Sequence, residues 1–210
     1  MSLEKRTPIY IFVQKIARWF IQPFCPFHAQ GAEQVPKNGA AIICCNHLGL
    51  TDVFRLGFSL KRQIYYMAKA ELFRFKPFAR ILQGLGAYPV QRGRGDLKAI
   101  NESARLIREG RLLGIFPEGH RSKDGEPGQP KAGAVMLAYK YQIPIVPCCI
   151  VMHGGGSVKL FHKAEVIFGT PIKPQELQIT KGSGSEYRAA NHVVWGKILN
   201  MREETLKKFL

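Results

Sequence analysis

Ala41-Ile42-Ile43-Cys44-Cys45-Asn46-His47-Leu48-Gly49-Leu50-Thr51-Asp52 is an apolar run that stops abruptly at Asn-His and is followed, four residues after the histidine, by Thr-Asp. A short apolar run bounded by polar residues reads as a buried strand, here Ala40 to Cys45. The apolar pattern resumes over Val53 to Leu60 as a helix, for which Asp52 is a good N-cap. A histidine is thereby delivered to the carboxyl end of a strand, with an aspartate at the start of the next helix. Open α/β sheets place ligands and chemistry at that edge.

Outward from this stretch, strands and helices alternate. Ile64 to Ala68, Gly86 to Val90, Leu112 to Phe116 and Ile145 to Val151 read as strands, and Lys159 to Phe168 as one or two more. Gln30 to Gln34 reads as a short strand before the Pro36–Gly39 turn. Helices are expected over Glu71 to Leu82 with an interruption at Pro77, from a cap at Asp96 to Glu109, over Lys131 to Tyr141, and from Glu186 to Phe209 behind a flexible linker at Thr180 to Ser185. No internal repeat and no shift of composition divides the chain. The expected fold is α/β, a single domain with a central mixed sheet flanked by helices.

Pro8 to Gln22 is an amphipathic helix in sequence. Ile9, Phe12, Val13, Ile16, Trp19 and Phe20 share one face, and Gln14, Lys15, Arg18 and Gln22 the other. At about 1.5 Å per residue the segment spans roughly 22 Å, short of a hydrocarbon core of ~30 Å. Two readings stand: a core-packing helix, or one lying in a membrane interface with its aromatics inward.

The chain has 210 residues and a formal net charge of +16, from 31 Lys and Arg against 15 Asp and Glu. Such an excess calls for an anionic partner: nucleic acid, a membrane surface or phosphorylated molecules. The five cysteines show no C-x-x-C spacing, and four form adjacent pairs in apolar runs, so they read as buried hydrophobes in a reducing compartment. Residues 1–7 are charged, and no continuous apolar run with a small-residue cleavage site follows, so no secretory leader is expected.

His47 and Asp52 can serve as a general base and the carboxylate that orients it, or as a satisfied polar residue and a helix cap. No G-x-S-x-G elbow supplies a nucleophile, and His153-Gly154-Gly155-Gly156 reads as a turn between strands. A proton taken by His47 would then come from a substrate hydroxyl. Two strands end in arginine-bearing loops, Gly86 to Arg92 and Phe116-Pro117-Glu118-Gly119-His120-Arg121. The guanidinium fork and glycine main chain suit phosphate oxygens, although either loop alone is also an ordinary surface loop. Arg94 and Lys123 read as solvated charges.

Together these stretches resemble the glycerolipid acyltransferase superfamily. Asn46-His47-x-x-x-x-Asp52 is similar to its first signature, Gly86 to Arg92 to its second, and Phe116 to Ser122 to its third. Lys131-Ala132-Gly133-Ala134 and Ile143-Pro144-Ile145-Val146-Pro147 are similar to the two that follow. The likeness runs over roughly residues 30 to 170. It implies an O-acyltransferase moving a fatty acyl group from acyl-CoA or acyl carrier protein to the hydroxyl of a lysophospholipid such as lysophosphatidic acid, with no metal and no other cofactor. His47 would be the base and Asp52 its partner. Arg92 and Arg121 would hold the acceptor phosphate, Glu118 and Gly119 would shape the acceptor site, and Lys69 is a further phosphate ligand. The chain departs from the pattern at His120, where threonine is usual, and at Leu48, where a polar residue is common.

The resemblance gives the charge a use, in anionic headgroups, phosphorylated acceptor and CoA, with no nucleic acid required. It implies a membrane-interface segment over residues 1–27 and an acyltransferase domain over 28–210. The enzyme would be peripheral and monotopic, on the cytoplasmic face. Other readings are an acyltransferase for another lysolipid or an amino-lipid, a thioesterase in which water replaces the alcohol, and a non-catalytic basic protein binding membranes or nucleic acid.

Overall fold

A computed structural model describes residues 6–20, 22–91 and 96–209. Its strands are β1 (Phe27–Gln30), β2 (Ala41–Cys45), β3 (Ile64–Lys69), β4 (Ala87–Val90), β5 (Leu112–Ile115), β6 (Ile145–Met152) and β7 (Ala164–Phe168). Its α-helices are α1 (Pro8–Phe20), α2 (Asp52–Ser59), α3 (Lys76–Gly84), α4 (Leu97–Arg108), α5 (Gly133–Tyr141) and α6 (Gly184–Phe209). The strands form one sheet in the order β1-β7-β6-β2-β5-β3-β4. β6, β2, β5, β3 and β4 run parallel, β7 runs antiparallel to β6, and β1 runs parallel to β7. The mixed sheet expected from sequence is present, and the carboxyl ends of its five parallel strands share one edge.

β2 sits near the centre of the sheet and is buried on both faces, which accounts for its continuous apolar run. Alternate residues serve opposite layers. Ile42 and Cys44 enter a core with Leu106 and Ile107 of α4, Val135 of α5 and Trp195 of α6. Ala41, Ile43 and Cys45 enter the other, with Leu56 of α2 and Leu48. Each fully buried Ile or Leu contributes about 1.5–3 kcal/mol. The two-residue period carries on to His47, on the α2 side. Between them Asn46, fully buried, closes the β2–β6 ladder. Its Nδ2 donates to the Ile150 carbonyl at 3.0 Å, and its Oδ1 accepts the Ile150 N–H at 2.8 Å.

Several boundaries differ from expectation. The first strand is Phe27–Gln30 rather than Gln30 to Gln34, and a short 3-10 turn follows at Ala32–Gln34. Gly31 ends it because its φ is +73°, and a Cβ there would meet the Phe168 carbonyl oxygen at 2.1 Å. The segment Glu71 to Leu82 is two pieces, a 3-10 turn at Ala70–Phe73 and α3, with Pro77 in the first turn of α3. The stretch Lys159 to Phe168 holds a single strand, β7, beginning at Ala164. The linker expected to be flexible at Thr180 to Ser185 is pinned. The Glu186 carboxylate accepts from the N–H groups of Thr180, Lys181 and Ser183 and from the Thr180 hydroxyl, which together hold its pKa far below the usual carboxylate range.

The His153–Gly156 segment is the turn between β6 and β7 expected from sequence, and it helps tie the antiparallel end of the sheet. Buried Glu165 of β7 is met by His28 of β1 at 3.0 Å and by His153 at 2.8 Å, with Lys163 at 3.5 Å. Burial pushes its carboxyl up, but the two imidazoles and the lysine outweigh this and hold it below the ordinary range.

Replacing Asn46 with leucine orphans the buried N–H and C=O of Ile150. Asn46→Leu is expected to lose about 2–4 kcal/mol of unfolding free energy in urea titration, with an unchanged m-value.

Candidate active site

The main chain of His47 is gripped on both sides by the loop after β5. Its N–H donates to Glu118 Oε1 at 2.8 Å, and its carbonyl accepts the Ser122 N–H at 2.8 Å. The imidazole stacks on Phe116, with ring centroids 4.0 Å apart and planes 17° apart. Nδ1 lies 2.9 Å from Asp52 Oδ2. A carboxylate only accepts, so the ring proton sits on Nδ1 and the lone pair on Nε2. Nε2 has no hydrogen-bond partner among the described residues, and the side chain keeps 13% of its surface exposed. The arrangement fits a general base presented at the rim of the sheet.

Asp52 is the first residue of α2, not its N-cap. Thr51 holds the cap position, and no side chain caps the helix. The Asp52 carboxylate turns back to the preceding loop instead. Oδ2 accepts the Leu48 and Gly49 N–H groups, both at 2.7 Å, together with His47 Nδ1. Oδ1 faces the Arg55 guanidinium at 3.5 Å. Loop closeness enforces this turn, since a Cβ on Gly49 would stand 2.7 Å from Val158.

Glu118 is buried, and both its oxygens bind main chain: Oε1 takes the His47 N–H and Oε2 the Gly128 N–H at 2.7 Å. It braces the loop rather than facing the opening. Gly119 takes a left-handed φ of +74°, closing a turn back to Phe116. Lys131 Nζ would lie 3.2 Å from a Cβ at Gly119, so an ammonium covers this turn. Lys131 was assigned no role in the sequence reading. Its membership of a motif-like stretch four residues before the α5 core was the only signal. Arg121 and His120 are exposed on the same loop; His120 Nδ1 lies 3.3 Å from the Arg121 carbonyl, and the Arg121 guanidinium has no hydrogen-bond or ion-pair partner among the described residues.

Lys69 ends β3 and is paired with Glu71 at 3.4 Å. With strands about 4.8 Å apart, the β5 loop carrying Arg121 is one spacing from β2, and Lys69 is two, roughly 10 Å away. Arg121 is therefore the better placed of the two for a ligand at His47. Arg92, like Arg94, lies outside the described residues.

Competing nucleophiles are accounted for. Burial drives the thiol pKa values of Cys44, Cys45, Cys148 and Cys149 upward, so these remain protonated. Ser122 Oγ is occupied by Asp124 and the Gly125 N–H, at 3.0 and 2.8 Å. Among the described residues, no three of His, Cys, Asp and Glu converge as a metal site.

Comparison with known proteins bears on this arrangement. A family model described as Acyltransferase matches residues 26–151, more than half the chain. The 1-acyl-sn-glycerol-3-phosphate acyltransferase of Bacillus subtilis is 36% identical over 143 residues, covering 67% of this chain and 70% of that protein. The chain belongs to the acyltransferase family. A chloroplastic relative of the same description from Brassica napus is 29% identical over 157 residues, 73% of this chain but only 45% of the relative. The crystal structure of the 1-acyl-sn-glycerophosphate (LPA) acyltransferase PlsC from Thermotoga maritima aligns with a TM-score of 0.69 over 91% of this chain and 79% of that one. At 23% identity it establishes a shared fold. The acyltransferase match spans β1 to β6, and so includes every element that holds His47, Asp52 and Glu118.

Replacing Glu118 by glutamine turns an amide NH2 towards one of two main-chain N–H donors. Glu118→Gln is expected to lose about 1–3 kcal/mol of stability and to lower kcat more than it raises KM. Denaturant unfolding alongside steady-state kinetics checks both.

Proposed function

We propose that this acyltransferase moves a fatty acyl group from a thioester donor, acyl-CoA or acyl carrier protein, to the free hydroxyl of lysophosphatidic acid, giving phosphatidic acid for phospholipid synthesis. The observation that carries this reading is the His47 ring, whose Nδ1 is held by Asp52 and whose Nε2 is left for a substrate hydroxyl. Nε2 takes the hydroxyl proton as the oxygen attacks the thioester carbonyl. The C–O bond forms, the C–S bond breaks, and the imidazolium returns the proton to the leaving thiolate. Asp52 fixes the tautomer and stabilises the imidazolium. With the nearby thiols protonated and Ser122 engaged, no acyl-enzyme is invoked. Arg121, Arg92 and Lys69 attract the acceptor phosphate, and Gly119 lets the main chain approach it.

Residues 1–27 act as a membrane-docking segment for the domain over 28–210. What supports this is the orientation of α1. The side carrying Tyr10 and Gln14 meets protein: the Tyr10 hydroxyl donates to the Gly57 carbonyl at 2.8 Å, and Gln14 reaches the Gly57 and Leu60 carbonyls. Phe12, Trp19 and Phe20 are exposed, Trp19 by 82%. Leu72, Phe75, Phe78 and Ile81, exposed at and before α3, extend the patch beside it. Exposed aromatics at this density mark a contact surface, and a bilayer is where the lysophospholipid acceptor resides. Among the described residues, no helix is long and apolar enough to cross a membrane. The docking is accordingly peripheral and monotopic, and cytoplasmic donors put it on the cytoplasmic face.

His120 favours a second reading, in which another lysolipid or an amino-lipid is the acceptor, because an imidazole stands beside Arg121 where threonine is usual.

Purified protein given acyl-CoA or acyl carrier protein thioester with a panel of lysolipids should make phosphatidic acid fastest. His47→Ala should fall by roughly 10³-fold or more and Asp52→Asn by about 10²–10⁴-fold, with both variants folded. Wild-type turnover in His47→Ala would end the proposal, and release of free fatty acid independent of acceptor would make the protein a thioesterase. Separately, Phe12→Ser combined with Trp19→Ser and Phe75→Ser should weaken partitioning onto phosphatidylglycerol-containing vesicles by at least about tenfold, with an unshifted Tm.

A further inference from the structure

Arg55 is the largest fully buried side chain of the protein among the described residues, with 1% of its surface exposed. It lies one turn into α2 from Asp52. Its Nη1 donates to the Thr51 hydroxyl at 2.8 Å and faces Asp52 Oδ1 at 3.5 Å. Its Nε and Nη2 are buried with no hydrogen-bond partner. Burying a guanidinium with two orphaned donors is costly, and a helix position facing the sheet core is ordinarily given to a hydrophobe. Asp52 is the one carboxylate in contact with it among the described residues, and the same carboxylate holds His47 through its other oxygen.

We propose that Arg55 is a positioning residue for the base, a third charge behind the His47–Asp52 pair that offsets the Asp52 carboxylate. The inference rests on the proposed role of that pair. A buried aspartate next to an imidazole stabilises the imidazolium, which cannot accept a proton from a substrate. The guanidinium offsets the Asp52 charge, so Arg55 and Asp52 form a neutral unit behind the imidazole. During proton transfer the carboxylate still lies 2.9 Å from Nδ1 to meet the transient charge. Burial lowers the Arg55 pKa, opposed first by Asp52, and a guanidinium has ample margin to remain charged at neutral pH.

The other groups facing this unit do not supply the same charge. Cys45 of β2, Cys148 of β6 and Tyr66 of β3 are pushed upward by burial and stay protonated. Glu118, from the loop after β5, is spent on the N–H groups of His47 and Gly128. His120 and Arg121 on that loop are solvent-exposed.

The test is the pH profile of kcat/KM for the full chain with acyl-CoA and lysophosphatidic acid. Removing the positive charge strengthens the pull of Asp52 on a proton at His47. In Arg55→Met or Arg55→Gln the acid limb should therefore move to higher pH by about one unit, with activity lost at neutral pH and regained on the alkaline side. Arg55→Lys, which keeps the charge but not the planar fork, should retain the wild-type limb. In an Asp52→Asn background, Arg55→Met should move nothing further. A limb that stays put in folded Arg55→Met, whatever the change in kcat, overturns the proposal. If the neutral variants do not fold, Arg55→Lys decides: a limb displaced by a unit with the charge retained overturns it, and an unmoved limb supports it. His47→Ala, run alongside, separates the two readings. Inactive His47→Ala with an unmoved Arg55→Met limb sinks only the role of Arg55, whereas active His47→Ala sinks the base itself.

Discussion

The site depends on one buried carboxylate oxygen. Asp52 Oδ2 receives two main-chain N–H groups and an imidazole N–H, all between 2.7 and 2.9 Å. Without it, Leu48 and Gly49 would present unpaired donors inside the protein, and His47 could rotate about its χ angles or exchange tautomers. One group therefore satisfies the strand-to-helix turn and aims the His47 ring. Glu118 repeats this device a strand away, joining the His47 main chain to Gly128 with its two oxygens. Carboxylates that bind several N–H groups act as rigid struts, since charge-assisted bonds are shorter and stronger than neutral ones.

The alternation of apolar and polar stretches made the sheet legible. β2 was bounded to within a residue, because a strand buried on both faces must be continuously apolar, and the chain announces its end with Asn-His. A mixed sheet was expected, and the short link from β6 to β7 suits an antiparallel pair, but the pairing of β7 with β1 at the sheet edge was not legible, because those strands lie far apart in sequence. Asp52 was misread as a cap for the same kind of reason. Ser, Thr, Asp and Asn at a helix start are used locally when nothing else competes. Here the loop at Leu48 and Gly49, pressed against Val158, offered closer donors. The helical stretch of α1 was legible, but which of its residues face protein was not. Only packing reveals that Tyr10 and Gln14 look inward and Phe12 and Trp19 outward. Arg55 left no signal either, since one cation on an eight-residue helix reads as a solvated face.

The exposure of Phe12, Trp19 and Phe20 on α1 links the fold to its surroundings. An amphipathic helix in a water-soluble domain buries its apolar stripe, because exposing several large aromatics forfeits about 1.5–3 kcal/mol apiece. α1 is held by the hydrogen bonds of Tyr10 and Gln14 to carbonyls at the end of α2 and by Ile9 against Gly84, and Phe12, Trp19 and Phe20 remain exposed. The bonds from Tyr10 and Gln14 end at the last turn of α2, the helix whose first turn carries Asp52. A surface load on α1 and the geometry at His47 are thus separated by a single helix of eight residues, too short to flex appreciably.

The loop from Pro117 to Lys131 shows how such a site keeps precision without a regular element. Its main chain is fixed at four points. Glu118 ties it to His47 and Gly128, and Lys131 N–H bonds the Pro117 carbonyl at 2.8 Å. Gly125 lies so close to the His153–Gly156 turn that a Cβ would stand 2.1 Å from the Gly156 carbonyl carbon. From the far side, Arg202 of α6 donates to the Gly125 carbonyl at 3.1 Å and pairs with Glu126 at 2.9 Å. The backbone entropy of the loop is therefore lost on folding rather than on binding. His120 and Arg121 project from this braced stretch with exposed side chains, so a bound anion would order only side-chain torsions. That separation, fixed main chain with free tips, suits the capture of an anion beside the His47 ring.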